Sequence, residues 1–389
     1  MSDLPLRLSR LVLALAVILA GNAAAASPRA APAVDPAGLE RGLDIRGSWW
    51  RVSLDEAMKT LNVPSVSVAL IESDNIAFVR AYGQGATPET LYQAASLSKF
   101  VAAVGAMRLV DQKKLALDED VNAKLTSWKV PTNGFDEDHP VTLRGLLSMT
   151  AGIGVPGFLG YAAGVPLPNL TQILYGAPPA NSPPVTVIAQ PGNAYAYSGG
   201  GYQIAEALMS DSVKAPFPQA MAELVLNPAG MERSSFAQPL PRDREKQAAR
   251  GHDAKGEELT GRWHVFPEHA AAGLWSTPTD LANLLLLVGR AWRGQSGLFL
   301  LPETAREMLK PQKGGPYGLG AAIGEAEGAL VVMKRGQNVG YQAYLILFPA
   351  EGQGMVVMTN SDNGSVLAEA LIRRAAQLYG WPELGPLQD

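Results

Sequence analysis

The stretch Ala94-Ala95-Ser96-Leu97-Ser98-Lys99-Phe100 decides the fold of this 389-residue chain, and it holds the only Ser-x-x-Lys match in the sequence. Residues three apart on a helix lie on one face, so a helix that begins at Ser96 places the Lys99 amine beside the Ser96 hydroxyl. A serine hydroxyl is a weak nucleophile and needs a neighbouring base. The spacing favours a serine–lysine pair, although the tetrapeptide alone also fits a surface serine and a solvated lysine.

The residues after this pair predict that its helix is buried. Between 96 and 112, apolar side chains recur at helical spacing: Phe100, Val101, Val104, Met107 and Val110. Such surroundings desolvate the Lys99 amine in part, which lowers a lysine pKa towards the range of a useful base. At the helix N-terminus, Ser96 would also direct its backbone N–H towards a developing oxyanion.

The composition is that of a chain able to build one compact unit with a large core. Of its residues, 47% are hydrophobic and 17% are charged. The formal net charge is -4 and the basic residues form no stripe, which argues against a nucleic-acid partner. Cysteine is absent from the sequence, which excludes disulfides, a thiolate nucleophile and lipidation at cysteine.

The first 26 residues have the pattern of a secretory signal peptide. Arg7 and Arg10 precede a short apolar run at 11–20, and small residues follow up to Ala26. The run is shorter than a good membrane span, which favours cleavage over the alternative, an uncleaved anchor. Residues 27–40, rich in Ala and Pro, predict a flexible leader. We therefore expect export to the bacterial periplasm or medium, with no stable membrane span after cleavage.

The remaining chain, 41–389, has strand patterns at both ends and a helical middle. A hairpin is predicted at 63–83, and three strands near the C-terminus at 329–333, 341–348 and 355–359. Between about 126 and 268, short helical segments alternate with Pro- and Gly-rich loops, which either carry a binding site or form a rigid cover. This order predicts an α+β fold: an antiparallel sheet flanked by helices, with an all-α insertion.

Two further segments carry chemistry-bearing side chains. The Gly-rich turn Tyr197-Ser198-Gly199-Gly200-Gly201 can hold the tyrosine tightly against a site, although alone it also fits a buried tyrosine beside a loop. Lys334-Arg335-Gly336 lies on or just after a C-terminal strand, and alone it also fits a charged sheet edge.

Taken in order, Ser96-x-x-Lys99, Tyr197-Ser198-Gly199 and Lys334-Arg335-Gly336 resemble the three motifs of the penicillin-recognising serine hydrolases. The chain is most similar to the branch that contains class C β-lactamases, β-lactamase-like esterases and D-amino-acid peptidases. Connecting segments agree with this branch: 141–153, 272–281, Gly340-Tyr341 and Thr359-Asn360. The resemblance spans about 54–379 and implies a β-lactamase/transpeptidase-like catalytic domain over 41–389.

The resemblance implies a role for each matching position. Ser96 would be the acylated nucleophile, and Lys99 and Tyr197 would share proton transfer. Lys334 would lower the Tyr197 pKa and help to bind a substrate carboxylate. The oxyanion hole would be the backbone N–H groups of Ser96 and Gln337. These roles are physically consistent, because a tyrosine with a pKa near 10 becomes a base only beside cations.

Two positions depart from the family's motifs and, with Gly336, are candidate substrate-binding residues. The second motif often reads Tyr-x-Asn, and Gly199 replaces the asparagine whose amide contacts the amide side chain of β-lactams. Arg335 stands where β-lactamases usually have a small hydroxyl residue, so its guanidinium would either narrow the pocket or offer a bidentate contact to a carboxylate. The loss of the asparagine argues against efficient β-lactam hydrolysis, and both departures leave the acylation residues intact but alter which substrates bind.

We therefore expect a serine hydrolase without metal or cofactor that acts on a small ester, or on an amide such as a D-amino-acid peptide. β-Lactams would be slow substrates or acylating ligands. A class C-like β-lactamase is one alternative, and a non-hydrolytic penicillin-binding sensor is another of a different class. A Ser-His-Asp triad and a zinc site are disfavoured, because the sequence lacks G-x-S-x-G and H-E-x-x-H. The sequence leaves the oligomeric state open.

Overall fold

The computed structural model describes residues 35–45, 50–295, 297 and 299–387. The predicted signal peptide and leader residues 27–34 lie outside the described residues. Pro36–Glu40, at the end of the predicted leader, forms a 3₁₀ helix that buries Leu39. This segment packs against the C-terminal helix, from which Arg374 donates a hydrogen bond to the Gly38 carbonyl at 3.1 Å.

The strands and helices follow the predicted order. The strands are β1 Ser65–Glu72, β2 Asn75–Gly83, β3 Tyr92–Gln93, β4 Trp275–Ser276, β5 Ala322–Ala326, β6 Ala329–Asn338, β7 Tyr341–Phe348 and β8 Gln353–Thr359. The α-helices are α1 Leu54–Thr60, α2 Leu97–Asp111, α3 Leu143–Leu147, α4 Leu170–Tyr175, α5 Gly199–Val213, α6 Phe217–Met221, α7 His269–Ala272, α8 Pro278–Trp292, α9 Pro302–Met308 and α10 Gly364–Tyr379. Short 3₁₀ helices at Val121–Ala123 and Glu245–Gln247 and a π-helix at Ala222–Leu226 complete the set.

A six-stranded antiparallel sheet of order β2-β1-β8-β7-β6-β5 forms the centre of the fold. Every residue of β7 is buried, because helices cover both faces of the sheet. Ala343, Leu345 and Leu347 belong to the core shared with α2 and α8, whereas Tyr344, Ile346 and Phe348 belong to the core shared with α10. This alternation follows from the period of two residues along a strand, and it decides which β6 side chains can reach α2.

The predicted insertion is helical. Residues 126–268, all of which the structure describes, contain α3 to α6 and isolated bridges such as Ile153 to Val187, but no strand. The α+β class, with an antiparallel sheet flanked by helices, is confirmed. Within the described residues, no helix is long and apolar enough to cross a membrane.

The structure differs from the predicted strands in two respects, of which the first places a motif. The strand predicted at 329–333 continues to Asn338, which places Lys334-Arg335-Gly336 within β6 rather than after it. β5 was not predicted, because its sequence is short and contains Gly324 and an exposed Glu325.

Candidate active site

The turn before α2 presents Ser96 at the N-cap position, immediately before the first residue of the helix. Ala95 has φ +49°, in the left-handed region that side chains rarely adopt. Hydrogen bonds hold this turn: the Ala94 N–H donates to the Leu274 carbonyl at 2.8 Å, and the Leu274 N–H donates to Ser98 Oγ at 3.0 Å. The second serine of the motif is thus an anchor for the turn, and Ser96 remains at the surface of the cleft.

Lys99 lies one turn further along α2, with its amine directed at the nucleophile. Its Nζ is 3.1 Å from Ser96 Oγ and donates to the Ala271 carbonyl at 2.7 Å. The side chain is 2% exposed. Aromatic rings stand close to the amine, with centres 5.2 Å away for Tyr197 and 5.7 Å away for Tyr202. Helix α7 and two tyrosines therefore fix the amine beside the serine hydroxyl.

Tyr197 lies between the two motif lysines, immediately before α5. The Lys334 Nζ is 5.0 Å from the centre of its ring, a distance similar to that of the Lys99 Nζ. Lys334 is fully buried and donates to the Tyr317 hydroxyl at 2.8 Å, and Tyr317 stacks on Tyr195 with ring centres 5.1 Å apart. The structure therefore brings together all four residues that the sequence identified as catalytic candidates.

Gly336 allows β6 to pass directly against the turn at residues 94–96 that carries Ser96. A Cβ atom at this position would lie 2.4 Å from the Ala94 carbonyl oxygen and 3.1 Å from the Ser96 nitrogen. Only glycine permits this approach without displacement. The next residue, Gln337, lines the same cleft as Ser96, as the predicted oxyanion hole requires.

A cleft of about 400 Å³ opens above these residues. Its lining combines the motif residues with a loop and a helix end: Ser96, Lys99, Pro156, Gly157, Phe158, Tyr197, Ala271, Ala272, Arg335, Gln337, Asn338 and Gln342. Gly199 and Gly336 do not line this cleft themselves, and their role in substrate binding stays a prediction. Gly336 packs against the Ala94 carbonyl, and Gly199 faces the Phe158 ring and the Pro156 carbonyl.

Arg335 borders the cleft, but its guanidinium points elsewhere. The guanidinium carbon lies 5.4 Å from the ring centre of Tyr344, its partner on β7. Directly paired residues share one face of a sheet, and Tyr344 belongs to the α10 side. Lys334 pairs with Leu345 on the α2 side. The guanidinium therefore lies on the Tyr344 side of the sheet, and its contact with a substrate stays a prediction.

The comparisons with known proteins agree with this arrangement. Residues 53–379 match the model of the family described as Beta-lactamase. This chain belongs to that family. A curated relative, "Protein flp" of Staphylococcus aureus (strain N315), is 23% identical over 315 residues, which cover 77% of this chain and 60% of the relative. The chain thus spans about 60% of the length of the first curated relatives that it matches.

Solved structures show the same fold. The octameric penicillin-binding protein homologue from Pyrococcus abyssi has a TM-score of 0.69 and 24% identity, with 84% of this chain and 76% of that chain covered. "EstCE1, a hydrolase with promiscuous acyltransferase activity" has a TM-score of 0.64 and 20% identity, with 84% and 96% covered. At these identities the similarity shows the β-lactamase/transpeptidase-like fold alone.

Several residues of the site were not identified from the sequence. Tyr317, which receives the Lys334 hydrogen bond, has no motif around it. Phe158 lies in an irregular loop, and the Ala271 carbonyl acts through the backbone. Tyr202 follows Tyr197 by five residues on α5, and its hydroxyl donates to the Leu147 carbonyl at 2.9 Å. Tyr197 precedes α5, and a separation of five residues is not a same-face helical spacing, so no local pattern indicates that the Tyr202 ring lies near Lys99.

A cluster of buried ionisable groups lies at the start of α7, the helix that holds Lys99. Glu206 accepts hydrogen bonds from the Ala270 N–H at 2.9 Å and from His269 Nδ1 at 2.7 Å. Burial would lower the His269 pKa, but Glu206 outweighs it and raises this pKa. Glu268 is fully buried, and burial raises its pKa to about 7. The cluster therefore changes charge close to neutral pH.

Proposed function

We propose that this protein is an exported serine hydrolase that forms an acyl-enzyme on Ser96 and hydrolyses a small ester or amide. The observation that carries the proposal is the 3.1 Å contact between Lys99 Nζ and Ser96 Oγ, with Tyr197 between two buried lysines in the wall of one cleft. A serine within hydrogen-bonding reach of a lysine amine, with a tyrosine ring beside that amine, supplies the nucleophile and candidate bases that covalent catalysis uses. A pure binding protein has no need of this proton-transfer set.

The geometry supports a two-step reaction. The Ser96 oxygen attacks the substrate carbonyl while its proton passes to Lys99 or Tyr197, and a tetrahedral oxyanion forms facing the Ser96 and Gln337 backbone N–H groups. The carbonyl–heteroatom bond then breaks, and the leaving group takes the transferred proton. Water next attacks the acyl-enzyme, loses its proton to the same groups, and releases the acid with Ser96 restored. Positive charge from Lys334 on the Tyr197 ring stabilises a phenolate during these transfers.

Labelling and turnover test this proposal together. A fluorophosphonate should add one equivalent of mass to the wild-type protein and none to Ser96→Ala, whereas Ser212→Ala, in the last turn of α5, should label like the wild type. Labelling that persists in Ser96→Ala would refute the role of Ser96.

A substrate panel separates the hydrolase from its alternatives. We expect p-nitrophenyl esters or D-alanyl anilides to turn over many times per enzyme and faster than nitrocefin. The reverse ratio would favour a class C-like β-lactamase. A stoichiometric burst without turnover on every substrate would favour a penicillin-binding sensor.

The proposal of export is supported by the signal-peptide pattern of residues 1–26. Expression of the full chain in a bacterial host should give a periplasmic or secreted protein whose N-terminus begins near residue 25 to 27. A protein that stays in the cytoplasm with residues 1–26 attached would contradict it.

A further inference from the structure

Residues 154–158, here named the wall loop, are fastened to the start of α5 next to Tyr197. Backbone and side-chain hydrogen bonds make this connection: Ser198 Oγ to the Gly154 carbonyl at 2.9 Å, the Gly200 N–H to the Val155 carbonyl at 2.9 Å, and the Gly199 N–H to the Pro156 carbonyl at 3.0 Å. The wall loop therefore occupies the hydrogen-bonding groups at the N-terminus of α5.

The backbone of the wall loop is held in a conformation that it would not adopt alone. Val155 has φ +62°, and a β-branched residue in the left-handed region is a clear outlier. Such strain persists only where the surroundings over-determine it. On its other side, the Gly154 N–H donates to the Thr186 carbonyl at 3.0 Å. The position of the wall loop is thus built into the fold.

The glycines after Tyr197-Ser198 make room for the wall loop. A Cβ atom on Gly200 would lie 2.6 Å from the Gly154 carbonyl oxygen. A Cβ atom on Gly199 would lie 3.0 Å from Phe158 Cε2 and 3.2 Å from the Pro156 carbonyl oxygen. The wall loop and its phenylalanine therefore fill the space that a side chain at position 199 would take.

Because the wall loop lies where a side chain at position 199 would be, the cleft surface beside Tyr197 is apolar. Pro156, Gly157 and Phe158 line it on this side, and Ala271 and Ala272 contribute further apolar surface. Besides Ser96, Lys99, Tyr197 and Arg335, the polar residues of the lining are Gln337, Asn338 and Gln342, which come from β6 and β7. A substrate carboxamide placed against the phenylalanine would lose its hydrogen bonds with water and gain none, whereas an alkyl or aryl group would bury apolar surface.

Building on the hydrolase function proposed above, we propose that Phe158 is a specificity residue. It forms an apolar slot that binds an aliphatic or aromatic substituent of an ester substrate, and it discriminates against substrates that carry a carboxamide at that place.

The test compares Phe158→Ala with Leu159→Ala, its 71% exposed neighbour, and with Phe158→Leu. Each variant is assayed with p-nitrophenyl acetate, butyrate and octanoate, and with aryl acetates whose aryl group grows in size. Phe158→Ala should lower kcat/KM for the larger substrates of one series by on the order of 10-fold or more, mainly through KM. Acetate should change less than about 3-fold, and Phe158→Leu should restore most of the loss.

Equal effects of Phe158→Ala on the smallest and largest substrates of both series would overturn the inference, as would the same loss in Leu159→Ala. Labelling of Ser96 by a fluorophosphonate in each variant keeps the two proposals apart. If the wild type is not labelled, the hydrolase function fails; if every variant is labelled and size preference is unchanged, only the role of Phe158 fails.

Discussion

Replacing Gly336 by alanine should greatly reduce catalytic activity while the protein still folds. The new methyl group would lie 2.4 Å from the Ala94 carbonyl oxygen, whereas an ordinary contact begins at 3.4 Å, so β6 and the turn that carries Ser96 must separate by about 1 Å. A misplacement of about 1 Å costs on the order of 10²-fold in rate. We therefore expect kcat/KM for a p-nitrophenyl ester to fall by about 10²-fold.

The same substitution should also destabilise the protein by about 1–3 kcal/mol, since the core is overpacked. Gly354→Ala is a matched control, because its methyl group would meet the Ile346 carbonyl oxygen at 2.5 Å in the same sheet, near the start of β8. Both variants should show lower melting temperatures by circular dichroism, but only Gly336→Ala should lose activity when assayed well below its melting temperature. Wild-type kcat/KM in Gly336→Ala, or an equal loss in Gly354→Ala, would refute the reasoning.

Three further variants test the surroundings of the nucleophile. Lys99→Ala removes the base, so kcat/KM should fall by on the order of 10²- to 10⁴-fold; steady-state kinetics that stay near the wild type would exclude this role. Tyr317→Phe removes the hydroxyl to which Lys334 donates at 2.8 Å, which should destabilise the protein by about 1–3 kcal/mol. Because this bond positions Lys334, kcat/KM should also fall by about 10-fold or more when it is measured well below the melting temperature, and an unchanged kcat/KM would contradict the positioning role. Glu268 has a folded-state pKa of about 7 against an ordinary 4.5, so ionising this carboxyl costs stability in the folded wild type. The wild type therefore loses up to about 3 kcal/mol of its free energy of unfolding as pH rises from 4.5 to 7. Glu268→Gln lacks the ionisable group, so its stability relative to the wild type should increase over that pH range. Thermal unfolding at pH 5 and pH 8 measures this, and the same difference between variant and wild type at both pH values would contradict it.

The sequence was sufficient to predict five of the six strands of the central sheet and the meeting of the motifs. Long apolar runs such as β1 and β7 are buried on both faces and are recognisable without any partner. The motif residues Ser96, Lys99 and Tyr197 lie at helix starts, where local patterns of serine and glycine indicate a boundary. These features can be predicted from the local sequence because they do not depend on contacts with distant segments.

The orientation of the Arg335 side chain was not predicted, and the reason is physical. Successive side chains of a strand point to opposite faces, so with Lys334 on the α2 side the Arg335 guanidinium lies on the Tyr344 side, although the residue still borders the cleft. The predicted strand ended at 333, which left this alternation unused. Phe158 and Tyr317 could not be predicted as site residues from local sequence. Only the folding of segments distant in sequence brings them near the cleft.

The glycines of the second and third motifs share one structural role. Gly336 lets a strand approach the turn that carries Ser96, and Gly199 and Gly200 let the wall loop approach the helix that carries Tyr197. At Gly336 the Ala94 carbonyl takes the space of a side chain, and at Gly199 and Gly200 the wall-loop carbonyls and the Phe158 ring take it. The missing asparagine at position 199 is therefore not an isolated loss within an otherwise unchanged cleft. It accompanies a loop that brings its own phenylalanine, so the surface offered to substrate depends on the loop and the glycine together.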